Sequence, residues 1–161
     1  DLGFEDVADE EILEGRADWG LDSYVPFHFI TRNPFDYSVV RNQPGQKFVI
    51  LAVNRKYAQT KGWSIIPRHP LAHGAAPEVL DSATGMDTIE WEQMDRSDRT
   101  YEDRECKLVC MAEALSPDDV PFSAVAFVFV PNDETEELVK AKGVDPSKIT
   151  VNENMFPKGC I

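Results

Sequence analysis

"CMAEALSPDDVPFSAVAFVFVPN", residues 110–132, opens with Glu113 as the one carboxylate among the small and apolar residues 110–115, and the apolar run 124–130 comes later. Burying an ionised carboxylate is costly unless it is paired or hydrogen-bonded. Glu113 therefore either points to water from an amphipathic element or lines a cleft and works there. Both readings stay open on this stretch alone. The run 124–130 reads as a buried strand. After it, "DETEELVKAK" (133–142) reads as a helix, with Asp133 as N-cap, acids early, lysines late and Gly143 as the stop. The tail "PSKITVNENMFP" (146–157) adds an edge strand.

Upstream, "SDRTYEDRECKLV" (97–109) reads as a polar turn and then a helix, and "DTIEWEQM" (87–94) is ambiguous between helix and strand. "PRHPLAHGAAPEV" (67–79) is rich in Pro and Gly and reads as loop. "KFVILAVN" (47–54) is an unbroken apolar run and reads as a central strand. A short helical turn through "RKYAQTK" follows, then a strand at "GWSII" (62–66). "YVPFHFIT" (24–31) is aromatic and β-branched, hence a strand, and Pro26 marks it as an edge or an early strand position. That register puts Val25, Phe27 and Phe29 on one face and His28, Ile30 and Arg32 on the other. Asn33-Pro34 opens a turn or helix. "DEEILEGR" (9–16) reads as a short helix, acidic where the dipole prefers. The class is α+β, with strands spread along the chain and short connecting helices.

The 161 residues suffice for one domain with a real core, and residues 1–161 are read as one. No apolar run approaches the roughly 20 residues that span a bilayer. The first fifteen residues carry seven acids and no base, unlike a secretory leader. The chain opens at Asp1 rather than Met, which raises the expectation of a trimmed N-terminus. Cys106, Cys110 and Cys160 make no disulfide framework; an odd count points to reduced thiols and a cytoplasmic setting. The net charge of −13 argues against nucleic acid as a partner. Its distribution is uneven, however: residues 1–15 carry −7, 16–76 carry +5 and 77–161 carry −11. A basic middle suits a phosphate-bearing ligand, or is simply the less acidic part.

Arg32 follows a strand end, where a guanidinium can fork onto phosphate or a base edge. His69, between two prolines, can order a carboxylate or a ligand. His69 and His73 have ligand-like spacing, but Pro70 disfavours a helical His-x-x-x-His site, and no metal is expected. His28 reads as a satisfied core residue. A carboxylate such as Glu113 in a cleft can stabilise a developing cation, as glycosidic chemistry requires. No Walker loop, G-x-G-x-x-G or G-x-S-x-G element is present.

In order, these segments resemble one family. "SYVPFHFITRNPFDY" (23–37) is similar to the YVPFYF-x-x-R-S-P-M-x-Y signature of the DarT-type ADP-ribosyltransferase toxins, which modify DNA bases using NAD. "EILEGRADWGL" (11–21) resembles the segment before that signature. "WSIIPRHPLA" (63–72) resembles its F-T-D-R-H-A loop, and "MDTIEWEQM" (86–94) its l-x-x-i-d-W segment. Residues 110–132 resemble k-A-E-x-L-V-P-x-x-V-P-x-x-x-I, which carries the catalytic glutamate.

The resemblance implies a compact ADP-ribosyltransferase-like domain, two small sheets around an NAD cleft, with NAD as co-substrate. It implies that Glu113 stabilises the oxocarbenium ion as nicotinamide leaves. Arg32 would contact NAD or help deprotonate the attacking base, and His69 would position the glutamate. Tyr24, Phe27 and Tyr37 would wall the NAD site beside Arg32, while Arg68, Arg41 and Lys47 would hold the nucleic acid. The implied partners are single-stranded DNA, held weakly and salt-sensitively, and an antitoxin; no membrane is involved. Transfer to RNA or protein, or a non-catalytic binding module, are the rival functions. Nothing in 1–15 matches the His-x-Thr strand with which the family normally opens, so that strand is expected to be missing. The Ser-Pro-Met of the signature reads Asn33-Pro34-Phe35 here, and the Thr-Asp of the loop reads Ile66-Pro67, both near the presumed substrate. On this reading Glu113→Ala abolishes transfer and leaves the fold intact.

Overall fold

The structure is a computed structural model, and it describes residues 10–71 and 76–158. His73, Cys160 and the N-terminal stretch before Glu10 lie outside them. The elements run α1 (Glu10–Asp18), β1 (Val25–His28), α2 (Pro34–Asn42), β2 (Ile50–Val53), α3 (Arg55–Thr60), β3 (Ser64–Ile66), α4 (Ser82–Thr88), α5 (Trp91–Met94), α6 (Arg104–Val109), β4 (Glu113–Ser116), β5 (Val125–Val130), α7 (Asp133–Ala141) and β6 (Ile149–Val151). No strand precedes β1 among the described residues.

The strands form two three-stranded sheets. One has the order β1-β4-β3 and is antiparallel throughout; the other has the order β2-β5-β6, with β5 and β6 parallel. The central strands are β4 and β5, the two segments of the 110–132 stretch. All four residues of β4 are buried, which accounts for its near-continuous run of small and apolar side chains. The strand expected to be central, β2, is instead an edge: it pairs only with β5, and Leu51 is exposed. An unbroken apolar run does not separate a strand covered by neighbours on both sides from one that borders a cavity. β1 is the edge that Pro26 announced. The alternation expected to continue through Arg32 stops at His28, and Phe29 and Ile30 both pack on the same core cluster.

Three clusters make the core. Ile65, Ile89, Met94, Val109 and Ala112 fill the space between the first sheet and the helices α4 to α6. Val125, Val128, Val130 and Val139 seat α7 on the second sheet. Leu21, Ile66 and Leu115 close the opposite face of the first sheet beneath the turn that follows α1. The contact of α4 with β3 needs Gly85, because a Cβ there would lie 2.5 Å from the Ile65 Cβ.

Local signals set the helix ends. Asn33 caps α2 in a reciprocal box: its side chain accepts from the Asp36 N–H at 2.9 Å, and the Asp36 carboxylate accepts from the Asn33 N–H at 3.3 Å. Pro34 sits at N1, where no hydrogen bond is lost. The cap of α7 is Asn132, not the expected Asp133; its side chain takes both the N–H and the hydroxyl of Thr135. Gly143, at φ +84, stops the chain after α7 as expected.

Candidate active site

Glu113 opens β4, paired across the sheet with His28 on one side and Ile66 on the other. That position buries it: the residue is 3% exposed. The carboxylate is met by an arginine that the sequence reading left without a role. Arg16, in the last turn of α1, donates from Nη1 to both carboxylate oxygens, at 2.8 and 3.1 Å. The chain places it there through a tight connection. The Leu21 N–H bonds the Arg16 carbonyl at 2.8 Å, Gly20 turns at φ +67, and Leu21 plugs the cluster beside Ile66 and Leu115. Arg16 Nη2 is buried without a partner. The pair gives Glu113 its place among apolar neighbours: the charge is inside because a guanidinium is inside with it.

Arg16 is thus the arginine at Glu113, while Arg32, expected to contact NAD or help deprotonate the base, sits in the turn into α2. Removing the Glu113 carboxylate would leave the Arg16 cation buried without its partner. One local signal marked Arg16. It is the first base after an acidic stretch, at a helix C-terminus where the dipole favours a cation. Its partner, 97 residues away, could not be read from sequence.

His69 stands in the same neighbourhood. Its N–H bonds the Leu108 carbonyl at 2.9 Å, and its Nδ1 accepts from the Leu71 N–H at 3.1 Å. The neutral ring therefore carries its proton on Nε2. Burial holds its pKa below the ordinary 6.5, while the Glu113 charge pulls the other way.

A cavity of about 400 Å³ lies between β1 and β2, within the range of small-molecule sites. Phe27, Trp63, Ile65, Ala114 and Phe129 line its apolar part, with the Phe27 ring 4.7 Å from that of Trp63. His28, Asn33, Asp36, Arg55 and Gln59 supply polar groups. Glu113 does not line the cavity; its cross-strand neighbour His28 does. The Arg55 guanidinium stacks 4.4 Å from the Trp91 ring centroid. Burial raises the Asp36 pKa, and His28 offsets part of that rise. His28 is not the satisfied core residue expected from sequence: its Nδ1 is buried with no partner.

The remaining candidates scatter around this centre. Arg32 adopts φ +54 in the turn into α2, its carbonyl accepting from the Tyr101 hydroxyl at 2.6 Å. Its guanidinium makes no ion pair among the described residues. Tyr37 is exposed and meets the Tyr101 ring edge-on at 6.0 Å. Tyr24 packs against the Leu21 cluster rather than the cavity. Arg68 is engaged by Glu90 and Glu105, and Lys47 by Glu134, so acids already occupy two of the three expected nucleic-acid contacts. The third, Arg41, lies in the last turn of α2. Among the described residues no group of three His, Cys, Asp or Glu could hold a metal ion. Cys106 and Cys110 are buried, and burial with the neighbouring Cys106 pushes the Cys110 thiol up to about 11, away from nucleophilic use.

The family model of DarT, ssDNA thymidine ADP-ribosyltransferase, matches residues 1–157. Three solved structures share the fold. Thermus sp. 2.9 DarT in complex with ADP-ribosylated ssDNA is 17% identical with a TM-score of 0.78, over 97% of this chain and 83% of that one. The same protein in complex with NAD+ is 16% identical with a TM-score of 0.71, over 85% of this chain and 74% of that one. Thermosipho africanus DarTG in complex with ADP-ribose is 17% identical with a TM-score of 0.75, over 96% of this chain and 43% of that one. No curated protein matches the chain.

Proposed function

The chain belongs to the DarT family of single-stranded-DNA thymidine ADP-ribosyltransferases, and we propose that Glu113 and Arg16 together form its catalytic centre, with NAD as the ADP-ribose donor. The observation that carries this is the buried Arg16–Glu113 pair on the central strand of the first sheet. A carboxylate has about four lone-pair sites, and Arg16 takes one on each oxygen. The others remain for a ribose hydroxyl. As the bond from C1′ to nicotinamide breaks, positive charge grows on the ribose. A fixed carboxylate in a dry site stabilises that charge without reorganising. Arg16 compensates the burial of Glu113 and holds it in one orientation. His69 lies close enough for the Glu113 charge to act on its ring.

The cavity beside His28 admits the substrate groups, and Arg55 and Arg32, neither ion-paired among the described residues, are the contacts we assign to phosphate. Because these basic groups are few on an acidic protein, DNA binding is weak, and salt weakens it further in proportion to the number of phosphates they contact. We also read the protein as the toxin of a pair acting in the cytoplasm, its antitoxin removing ADP-ribose or filling the cavity; the family resemblance is the support for this.

The test is mass spectrometry of a thymidine-containing single-stranded oligonucleotide after incubation with the protein and NAD. An ADP-ribose adduct on thymidine that is lost in Glu113→Gln and in Arg16→Met, both shown folded, supports the assignment. An adduct that survives in folded Glu113→Gln refutes it.

A further inference from the structure

Arg32 is the one residue other than glycine with a positive φ among the described residues, at +54. For an arginine that left-handed backbone is strained, because its Cβ crowds the following carbonyl oxygen. Such strain persists only where the surroundings over-determine it. Here every residue of the turn is held. Asn33, 1% exposed, donates from Nδ2 to the Ile30 carbonyl at 3.0 Å and closes the turn around Thr31 and Arg32. The Thr31 hydroxyl meets the Met155 sulfur at 3.9 Å, and Asp36 takes the Asn33 N–H at 3.3 Å.

The hold on Arg32 itself comes from far along the chain. The Tyr101 hydroxyl, 69 residues on, donates to the Arg32 carbonyl at 2.6 Å. The same hydroxyl is hydrogen-bonded to the thiol of Cys110, the C-cap of α6. Its one proton goes to Arg32, so the thiol is the donor there. Cys110 is 1% exposed and stands three residues before Glu113. Two hydrogen bonds in series therefore tie the Arg32 turn to the end of α6, where the chain runs into β4. Thr31 and Asn33 line the cavity on either side of Arg32, whose own side chain is exposed.

We propose that Tyr101 is a positioning residue for the reaction: its hydroxyl holds Arg32 in the left-handed turn, so that the guanidinium stands at the rim of the cavity and meets a phosphate there. This rests on the assignment of Arg32 to phosphate made above. Without the hydroxyl the turn relaxes toward the right-handed region, the Cα–Cβ bond swings, and the guanidinium leaves the rim. The phosphate belongs to NAD or to the DNA backbone, and a guanidinium forks onto either in the same way.

The test titrates NAD alone, and a thymidine-containing single-stranded oligonucleotide alone, into the wild type, Tyr101→Phe, Arg32→Ala and the double variant, with thermal unfolding of each. Tyr101→Phe removes the hydroxyl and keeps the ring that Tyr37 meets edge-on. Arg32→Ala should weaken whichever ligand brings the phosphate, which names its source. Tyr101→Phe should weaken that same ligand by about 2- to 10-fold, the worth of one neutral hydrogen bond, and do nothing further once Arg32 is alanine. In steady-state transfer its loss should fall on the KM of that ligand and spare kcat. Arg32→Gly should melt above Arg32→Ala, since glycine alone takes the left-handed turn without strain. A Tyr101→Phe loss of equal size in both backgrounds overturns the proposal. So does no loss, a loss confined to kcat, or a variant that does not fold; the hydroxyl then serves the fold alone, and the assignment of Arg32 stands. Arg32→Gly melting at or below Arg32→Ala overturns it too, because the strained turn is then absent in solution. If Arg32→Ala weakens neither ligand, the phosphate assignment itself fails, and the positioning role with it.

Discussion

Breaking the Arg16–Glu113 pair should cost far more stability than a surface ion pair, and the geometry sets the size. The side chains are 11% and 4% exposed, and both carboxylate oxygens are engaged. Removing either partner leaves the other charge buried and unpaired, which costs about 3–5 kcal/mol. For a domain of this length, about 2–4 °C of midpoint accompanies each kcal/mol, so Arg16→Met and Glu113→Leu should each melt roughly 6–20 °C below the wild type. The double variant removes both charges and fills the space with apolar groups. It should recover most of that loss, since replacing a buried pair as a unit is often neutral. The assay is urea unfolding of the four proteins as a double-mutant cycle. Single losses under about 1 kcal/mol that add in the double variant would refute the reasoning, because they describe an exposed pair. Activity assays of Glu113 variants must run well below the lowered midpoint, or unfolding will pass for lost catalysis.

Burial holds the His69 pKa below 6.5, so the unfolded chain binds more protons just under that value and stability is lost as pH falls through it. His69→Gln should flatten the drop in urea midpoint between about pH 7 and pH 5. Asp36 acts in the opposite sense: its raised pKa means the folded chain binds more protons above 3.8, so its contribution fades as pH rises through that window. Gly85→Ala should destabilise the fold by thermal unfolding, because overpacking against Ile65 costs about 1–3 kcal/mol against less than about 1 gained in helix propensity. Arg68→Ala should change stability by no more than about 1 kcal/mol, since its pairs with Glu90 and Glu105 are exposed, and should leave oligonucleotide affinity near wild type in a binding titration.

Much of the element order and type was legible because it rests on local rules, although α4 was not read and the segment holding α5 stayed ambiguous. The apolar run of β5, the acid-to-lysine gradient of α7 and the Asn33-Pro34 start of α2 all stand in a window of a dozen residues. What pairs with what was less legible. The run that became β2 looked central because apolarity reports burial without naming the neighbour that causes it. Glu113 stood out because a carboxylate among apolar residues breaks a local pattern. Arg16 did not, since an arginine at the end of an acidic helix breaks none, and only the fold brings it to β4. His28 hid for a related reason. In a strand of alternating aromatics an imidazole looks like packing, and its unmet nitrogen is visible only in three dimensions.

The two sheets share no backbone ladder among the described residues: β1 bonds only β4, and β2 only β5, with the cavity between them. Side-chain packing and the connecting segments carry force from one half to the other. The halves can therefore open as separate cooperative units, without either sheet giving up an internal bond. In native-state amide exchange, β4 and β5 should fall into different protection classes, their opening free energies diverging as denaturant rises. A ligand that bridges the cavity would merge the two classes into one, and its mark would be slower exchange in strands it never touches.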